Sequence, residues 1–299
     1  MQVKKTWKRV DGVLLLDKPI GLSSNDALQK ARRLFSAAKG GHTGTLDPLA
    51  TGLLPLCFGE ATKFSADLLD ADKTYEAVLK LGVTTDSGDA EGAITATAAV
   101  NVSAEAVFKA LPQFTGDIQQ IPPMHSALKR DGRPLYELAR QGIEVEREPR
   151  AVTIHALEVL AFVGDSLTLR VACSKGTYIR VLAADLGAVL GCGAHLAALR
   201  RTVVGDLSLQ GSVTLDELAA LDESERLAYL QPVDALLHTL PVLTVEGEAA
   251  MRFRHGNPID LPPGLDGKIR VYEGSRLIGI GEPGQSGRLW PKRLVQLAD

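Results

Sequence analysis

Gly40-Gly41-His42-Thr43-Gly44-Thr45-Leu46-Asp47-Pro48-Leu49-Ala50-Thr51-Gly52 is the stretch where glycines, a histidine, hydroxyls and one carboxylate crowd most closely. Its glycines permit positive φ and close approach of the backbone to a ligand. Pro48 removes an N–H and biases Asp47 away from the helical region, so the segment reads as a shaped loop. Asp47 is its only acid and His42 its only other titratable group, and the apolar run Leu53-Leu54-Pro55-Leu56-Cys57-Phe58 follows at once. A lone carboxylate against an apolar wall is a candidate nucleophile or base. Asp before Pro is also an ordinary turn device, and a histidine among glycines can simply cap a backbone group. Spacing alone leaves both readings open.

Toward the N-terminus, the apolar run from Gly12 to Leu16 predicts a buried strand, and Asp17-Lys18-Pro19-Ile20-Gly21 a turn. Ser24 offers an N-cap, and Ala27, Leu28, Ala31, Leu34 and Phe35 fall at helical spacing. A helix over 25–37 therefore delivers the chain to the glycine loop, with Lys30, Arg32 and Arg33 on its other face. Beyond the loop, Ala61, Phe64 and Leu68 suggest a short helix, and Lys73 to Leu81 alternates as a strand. Tyr75 then shares the inward face with Ala77, Leu79 and Leu81, where an aromatic is by default a core residue.

Farther on, Ser103 to Leu111 predicts a helix. Pro122 and Pro123 keep 121–129 extended, and Asp131-Gly132 signals a turn. Residues 129–150 carry Lys129, Arg130, Arg133, Arg140, Arg147 and Arg150, a charged excursion suited to a lid or to an ordinary surface hairpin. Val152 to Phe162 and Ser166 to Cys173 read as a β-hairpin about Gly164-Asp165. Ser174-Lys175-Gly176-Thr177-Tyr178-Ile179-Arg180 opens a helix that Gly191 and Gly193 stop. In a regular first turn Tyr178 and Arg180 would point roughly 200° apart. Thr214 and Glu217 form a capping box before acidic, apolar outer helices over 215–237. From Pro241, short apolar runs punctuated by glycines predict a small β domain with a boundary near residue 240.

The 299 residues are 45% hydrophobic and 23% charged, enough for a large core and more than one domain. No apolar stretch is long enough to span a membrane, and the start Met1-Gln2-Val3-Lys4-Lys5 leads into polar sequence, so the expected location is the cytoplasm. Cys57, Cys173 and Cys192 are widely spaced and read as reduced core residues, and the six scattered histidines give no metal-ligand pair. A net charge of −3 argues mildly against a nucleic-acid partner. The acids are, however, segregated into Asp86–Glu91 and the span 216–234. That leaves basic clusters at Lys30-Arg32-Arg33-Lys39, Lys129-Arg130-Arg133, Arg200-Arg201 and Lys292-Arg293.

Gly41 through Leu54, continued by Gly59-Glu60-Ala61-Thr62-Lys63, closely resembles the signature of the TruB family of bacterial tRNA pseudouridine synthases. Ser174–Arg180, Leu199-Arg200-Arg201-Thr202 and Lys18-Pro19 are similar to further phrases of that family. The resemblance implies an α+β fold: a pseudouridine synthase catalytic domain with a mixed, largely antiparallel sheet over 1–240, interrupted by a charged insertion at about 124–151. A small PUA-like β-barrel, an RNA-binding module, follows over 241–299. It implies isomerisation of the T-loop uridine 55 of tRNA by an essential aspartate on a flipped-out base, with no cofactor, no obligatory protein partner and a monomeric enzyme. Carried over residue by residue, Asp47 is catalytic and Arg180 pairs with it. Tyr75 stacks on the base, Tyr178 lies under it and Leu199 touches it, while His42 holds the RNA loop open. An arginine beside an aspartate favours its ionised form.

Three rivals carry their own discriminators. A non-catalytic RNA binder of the same fold would not gather Asp47, Tyr75 and Arg180 into one pocket. A synthase working inside a guide-RNA particle would require partner proteins. A carboxylate glycosidase would need two facing acids, for which only Glu60 is near in sequence.

Overall fold

Period-two alternation and short apolar runs dominate the chain, and most of them assemble into one ten-stranded sheet. The computed structural model describes residues 6–126, 128–130, 132–284 and 287–296. Met1–Lys5, Ala127 and the Asp131 of the expected turn lie outside these residues. Along its main path the sheet runs Leu230–Gln231, Gly12–Lys18, Ala50–Phe58, Ala194–Val204, Lys73–Leu81, Ser166–Cys173, Arg150–Val163 and Gly116–Gln120. Gly40–His42 adds to Ala50–Phe58, and Leu207–Ser208 to Ala194–Val204. Every pairing is antiparallel except the central one, Ala50–Phe58 against Ala194–Val204.

Alternation sorts the core onto the two faces. Leu14, Leu16, Leu54 and Leu56 pack beneath the helices Ser24–Leu34 and Leu215–Ala220, while their neighbours Val13, Leu15, Leu53 and Cys57 face Phe64, Leu68 and Leu237 on the other side. Farther across the first face, Ala77, Leu79 and Leu196 pack with the helices Ala104–Ala110 and Ile179–Val189. Tyr75 and Leu199 join both clusters of this face, at the seam between them. All three cysteines are free and buried.

Several elements differ in detail from the sequence reading. The first helix is Ser24–Leu34, capped by Ser23 rather than Ser24, because the Ser23 hydroxyl is the one that reaches the Asp26 amide. The expected end at 37 is cut short where Ser36 takes φ 51° and Ala37 bridges to Lys8. Gly40–His42 is a short strand rather than loop, so the irregular part narrows to residues 43–49. The charged excursion folds as a two-residue hairpin, Lys129–Arg130 with Arg133–Pro134, and the short helix Leu135–Ala139 held by buried Leu135 and Leu138. The Thr214–Glu217 capping box forms as read.

The C-terminal strands Val242–Val245, Ile269–Glu273, Arg276–Pro283, Arg288–Leu294 and Ile259–Asp260 make a separate five-stranded curled sheet. The sequence reading missed the helix Gly247–Arg254, whose Ala250 and Phe253 fill the core of this unit. Leu277 and Ile280 pack it onto Phe64 and Leu68 of the helical segment that covers the large sheet. Lys63 Nζ donates to the Leu294 carbonyl at 2.8 Å, and the Gln296 amide to Glu60 at 2.6 Å. Glu60 is thus a joint between the two units, also ion-paired to Lys63, and does not face Asp47 as a second acid would. No helix among the described residues is long and apolar enough to cross a membrane.

Candidate active site

The loop 43–49 hangs from the hairpin of Gly40–His42 and Ala50–Phe58, and buried polar groups pin it at several points. Ser24, freed from capping, accepts the Leu46 amide at 2.7 Å and donates to the Leu46 carbonyl at 3.0 Å. The Pro48 carbonyl accepts from Gly21 N–H at 2.8 Å. Asp47 therefore stands between two anchored neighbours. Beneath it lies Arg201, 1% exposed, which donates to the carbonyls of Leu53 at 2.8 Å, Gly44 at 3.3 Å and Thr45 at 3.4 Å. Arg201 lies opposite both Tyr75 and Gly52 in the strand register, at the parallel joint of the sheet. The sequence grouped Arg200 and Arg201 as a basic surface cluster. Instead Arg201 is core, donating to three backbone carbonyls, and Arg200 forms a two-point pair with Asp17 at 2.6 and 3.1 Å.

Arg180 reaches Asp47 from the first turn of Ile179–Val189. Its Nη2 lies 3.0 Å from Asp47 Oδ2 and 2.8 Å from the His125 carbonyl, which it also engages. Its Nη1 lies 3.3 Å from the Ser87 carbonyl and 3.5 Å from Asp89 Oδ2. The guanidinium is buried while Asp47 is 42% exposed, so the carboxylate has one side on a fixed cation and the other open. Asp89, read from the sequence as part of a segregated acidic run, is buried, held by the Ser87 hydroxyl at 2.6 Å and the Glu91 amide at 3.1 Å. Burial of that acid offsets the buried charge of Arg180.

Tyr178 precedes the helix instead of opening it. Its φ of −100° and ψ of 106° are extended, so the 200° phase difference of a regular turn does not apply to Tyr178 and Arg180. Tyr75 and Leu199 pack together with Leu49 on one side, and with Leu46 and Ala50 on the other. Burial raises the Tyr75 phenol above its ordinary range. Lys18, fully buried, donates to the carbonyls of Pro19 at 2.9 Å and Leu22 at 2.6 Å. Burial pulls its ammonium down to about 8 against the opposing pull of the Asp47 charge.

His42 is half-buried, with Nδ1 enclosed and without a hydrogen-bond partner, and burial with the nearby Arg201 charge lowers its pKa. Its neutral form is thereby favoured. Among the described residues, neither the His42 nor the Tyr178 side chain makes a hydrogen bond or ion pair to Asp47. Asp47 and Arg180 are in direct contact, and Tyr75 and Leu199 pack in the same clusters as Leu46, Leu49 and Ala50 of the loop that carries Asp47. Sequence reasoning missed Asp89, which sat in a segregated run of acids with nothing local to mark its pairing with Arg180.

The fold that carries this pairing of a carboxylate with a buried arginine has parallels among solved structures. A chain in the crystal structure of a Cbf5–Nop10–Gar1 complex shares the fold with a TM-score of 0.69 and 27% identity, covering 91% of this chain and 78% of that one. A chain of an H/ACA RNP bound to a substrate RNA containing 2′-deoxyuridine is alike in fold, with a TM-score of 0.70 at 23% identity, over 96% and 85% of the two chains. The class is that of the pseudouridine synthases, here with a PUA-like C-terminal unit. Three family descriptions match consecutive parts of the sequence. The N-terminal domain of the TruB family pseudouridylate synthases matches 32–179, the tRNA pseudouridylate synthase B C-terminal domain 180–238, and the pseudouridine synthase II TruB C-terminal region 241–295. Curated relatives include the tRNA pseudouridine synthase B of Dechloromonas aromatica, 78% identical over the whole of both chains. That of Aromatoleum aromaticum is 59% identical over 98% of this chain and 96% of its own. The chain belongs to the TruB family of pseudouridine synthases, which are isomerases.

Proposed function

We infer that the protein isomerises the T-loop uridine 55 of tRNA to pseudouridine, acting on tRNA alone. The observation that carries this reading is the 3.0 Å pairing of half-open Asp47 with buried Arg180, beside Tyr75 and Leu199, in a chain whose relatives are named for tRNA. The reaction breaks the bond from N1 of uracil to C1′ of the ribose, turns the base, and joins C5 to C1′. N1 gains a proton and C5 loses one, so nothing is oxidised or hydrolysed and no cofactor is required. Attack on the base, attack on the sugar and removal of a sugar proton all use one carboxylate, and Asp47 supplies it.

A base must leave its stack before a protein can reach it, at a cost of a few kcal/mol. Tyr75 offers a π face for the flipped uracil, worth roughly 1–3 kcal/mol. Tyr178 and Leu199 complete the enclosure, and His42 holds the RNA loop open. Residues 1–240, with the charged insertion at about 124–151, form the catalytic unit, and 241–299 the RNA-binding unit. The gap between the family matches at 238 and 241 and the independent C-terminal sheet support that division. The enzyme works as a cytoplasmic monomer without guide RNA or partner protein, a reading supported by its match over the whole length of a relative named for tRNA rather than for a guide-RNA particle.

Incubating the protein alone with unmodified tRNA transcript, then mapping pseudouridine by carbodiimide-dependent reverse-transcription stops, tests substrate and independence together. A stop at the T-loop uridine is expected, and its absence refutes the reading. Asp47→Asn should abolish tritium release from [5-³H]uridine-labelled tRNA while RNA binding survives. Release at the wild-type rate would overturn the role of Asp47.

A further inference from the structure

The helix Ile179–Val189 begins without a side-chain cap of its own, because Tyr178 stands where a serine, threonine, aspartate or asparagine would ordinarily be. Gln120 comes from outside the helix to this junction. It is the last residue of the edge strand Gly116–Gln120 and is 2% exposed. Its Oε1 accepts the Tyr178 N–H at 2.9 Å, and its Nε2 donates to the Tyr178 carbonyl at 3.2 Å. One amide thus pairs with both backbone polar groups of Tyr178, as a neighbouring strand would. The same carbonyl receives the Leu182 amide at 3.1 Å, the first hydrogen bond of the helix.

We propose that Gln120 is a positioning residue that acts through Tyr178, holding it in extended conformation so that Tyr178 and Arg180 serve one cleft despite being two residues apart. The proposal rests on the pseudouridine synthase reading above. Without the amide, the Tyr178 N–H and carbonyl lose the partner that fixes them outside the helix, and a Tyr178 free to wind one residue further into the helix would diverge from Arg180 by roughly 200°. Five residues beyond Gln120, the His125 carbonyl accepts from Arg180 Nη2. The 120–125 segment therefore holds the tyrosine by its backbone and the arginine by its guanidinium. A methionine at 120 would keep the length and the apolar stem but could pair with neither group. A glutamate would accept the N–H yet, when ionised, repel the carbonyl; its neutral acid form both donates and accepts, like the amide.

Three measurements on the full-length protein test this. In single-turnover tritium release, Gln120→Met should be slower by about 10- to 100-fold, the scale of a small misplacement of a substrate-positioning group. Binding of the tRNA should change by less than about threefold, since the phosphate contacts that dominate RNA affinity are untouched. In a Tyr178→Leu background the same substitution should cost little more, because residues acting as one unit are non-additive. Gln120→Glu should gain rate relative to wild type as pH falls from 8 to 6, whereas Gln120→Met should not. The Tyr178 amide should exchange with deuterium faster in Gln120→Met. Wild-type rates, losses that multiply fully in the Tyr178→Leu background, or unchanged Tyr178 exchange would each overturn the proposal. Tritium release by the wild type separates the two readings: if it is absent, the pseudouridine reading fails, while amide exchange still decides whether Gln120 holds Tyr178.

Discussion

Gly52→Ala perturbs the joint on which the site hangs. Gly52 lies in the strand Ala50–Phe58, opposite Lys18 on one side and Arg201 on the other. Its φ is +96°, a region that costs an alanine about 1–2 kcal/mol. An added Cβ would also sit 2.3 Å from the Arg201 carbonyl oxygen and 2.9 Å from its amide nitrogen, closer than real Cβ atoms come. Both atoms are backbone of the parallel neighbour, so relief requires the strands to part, at a cost of about 1–3 kcal/mol of overpacking. Replacing glycine gains about 0.4–1 kcal/mol from the unfolded chain, too little to offset the sum. A net loss of about 2–4 kcal/mol should lower the melting temperature by several degrees, at roughly 2–4 °C per kcal/mol for a chain of 150–250 residues and somewhat less for this longer one. Because Arg201 holds the carbonyls of Gly44 and Thr45, the strand shift should also move Asp47, and single-turnover tritium release should slow at temperatures where the variant is still folded. Differential scanning calorimetry and the release assay on the same preparation read both effects. A variant melting within a degree of wild type, or one destabilised but catalytically unchanged, would refute the coupling of this joint to the loop.

Arg180→Lys should slow single turnover by about 100-fold or more with tRNA binding retained, because one ammonium cannot replace a planar guanidinium that meets four acceptors. Retention within threefold would show that charge alone suffices. His42→Ala should reduce kcat/KM by about tenfold or less, the scale of one neutral contact, with an effect on turnover far smaller than that of Asp47→Asn; equal losses would make His42 part of the chemistry. Lys18, held at about 8 against an ordinary value of 10.5, keeps its proton less readily folded than unfolded. Its folded state therefore gains stability relative to the unfolded chain as pH rises from 8 to 10.5, by roughly 3 kcal/mol over the window. Urea denaturation of wild type and Lys18→Met across that range should diverge in favour of wild type, and parallel curves would refute the buried charge.

Much of this arrangement is legible from local pattern. Apolar alternation marked Lys73–Leu81 and the hairpin about Gly164–Asp165, since period two is a property of the chain itself. The capping box at Thr214 needs only four residues to be recognised. The glycine loop and its lone carboxylate stood out by composition, and the family resemblance named the residues to set beside it. What local pattern lacks is any measure of which distant groups share a space. The acidic run holding Asp89 and the basic pair Arg200-Arg201 look like solvated surface because charged residues are mostly exposed. Asp89 and Arg201 are nevertheless buried, because a long-range partner offsets the cost of desolvation: Arg180 for Asp89, and the three carbonyls of Leu53, Gly44 and Thr45 for Arg201.

By itself, then, the sequence determined several of the strands, the capping box at Thr214, the family and the identity of Asp47 as the carboxylate to watch, because these rest on contacts within a few residues or on motifs read directly. Only the tertiary structure decided how Tyr178 and Arg180 relate. An ideal helix would have turned them apart, but Tyr178 is extended, its backbone bonded to a glutamine 58 residues away, and Arg180 is left to meet Asp47. The cause is the usual one for a buried site: backbone polar groups must be satisfied, and when the satisfying partner is remote, no local periodicity records it.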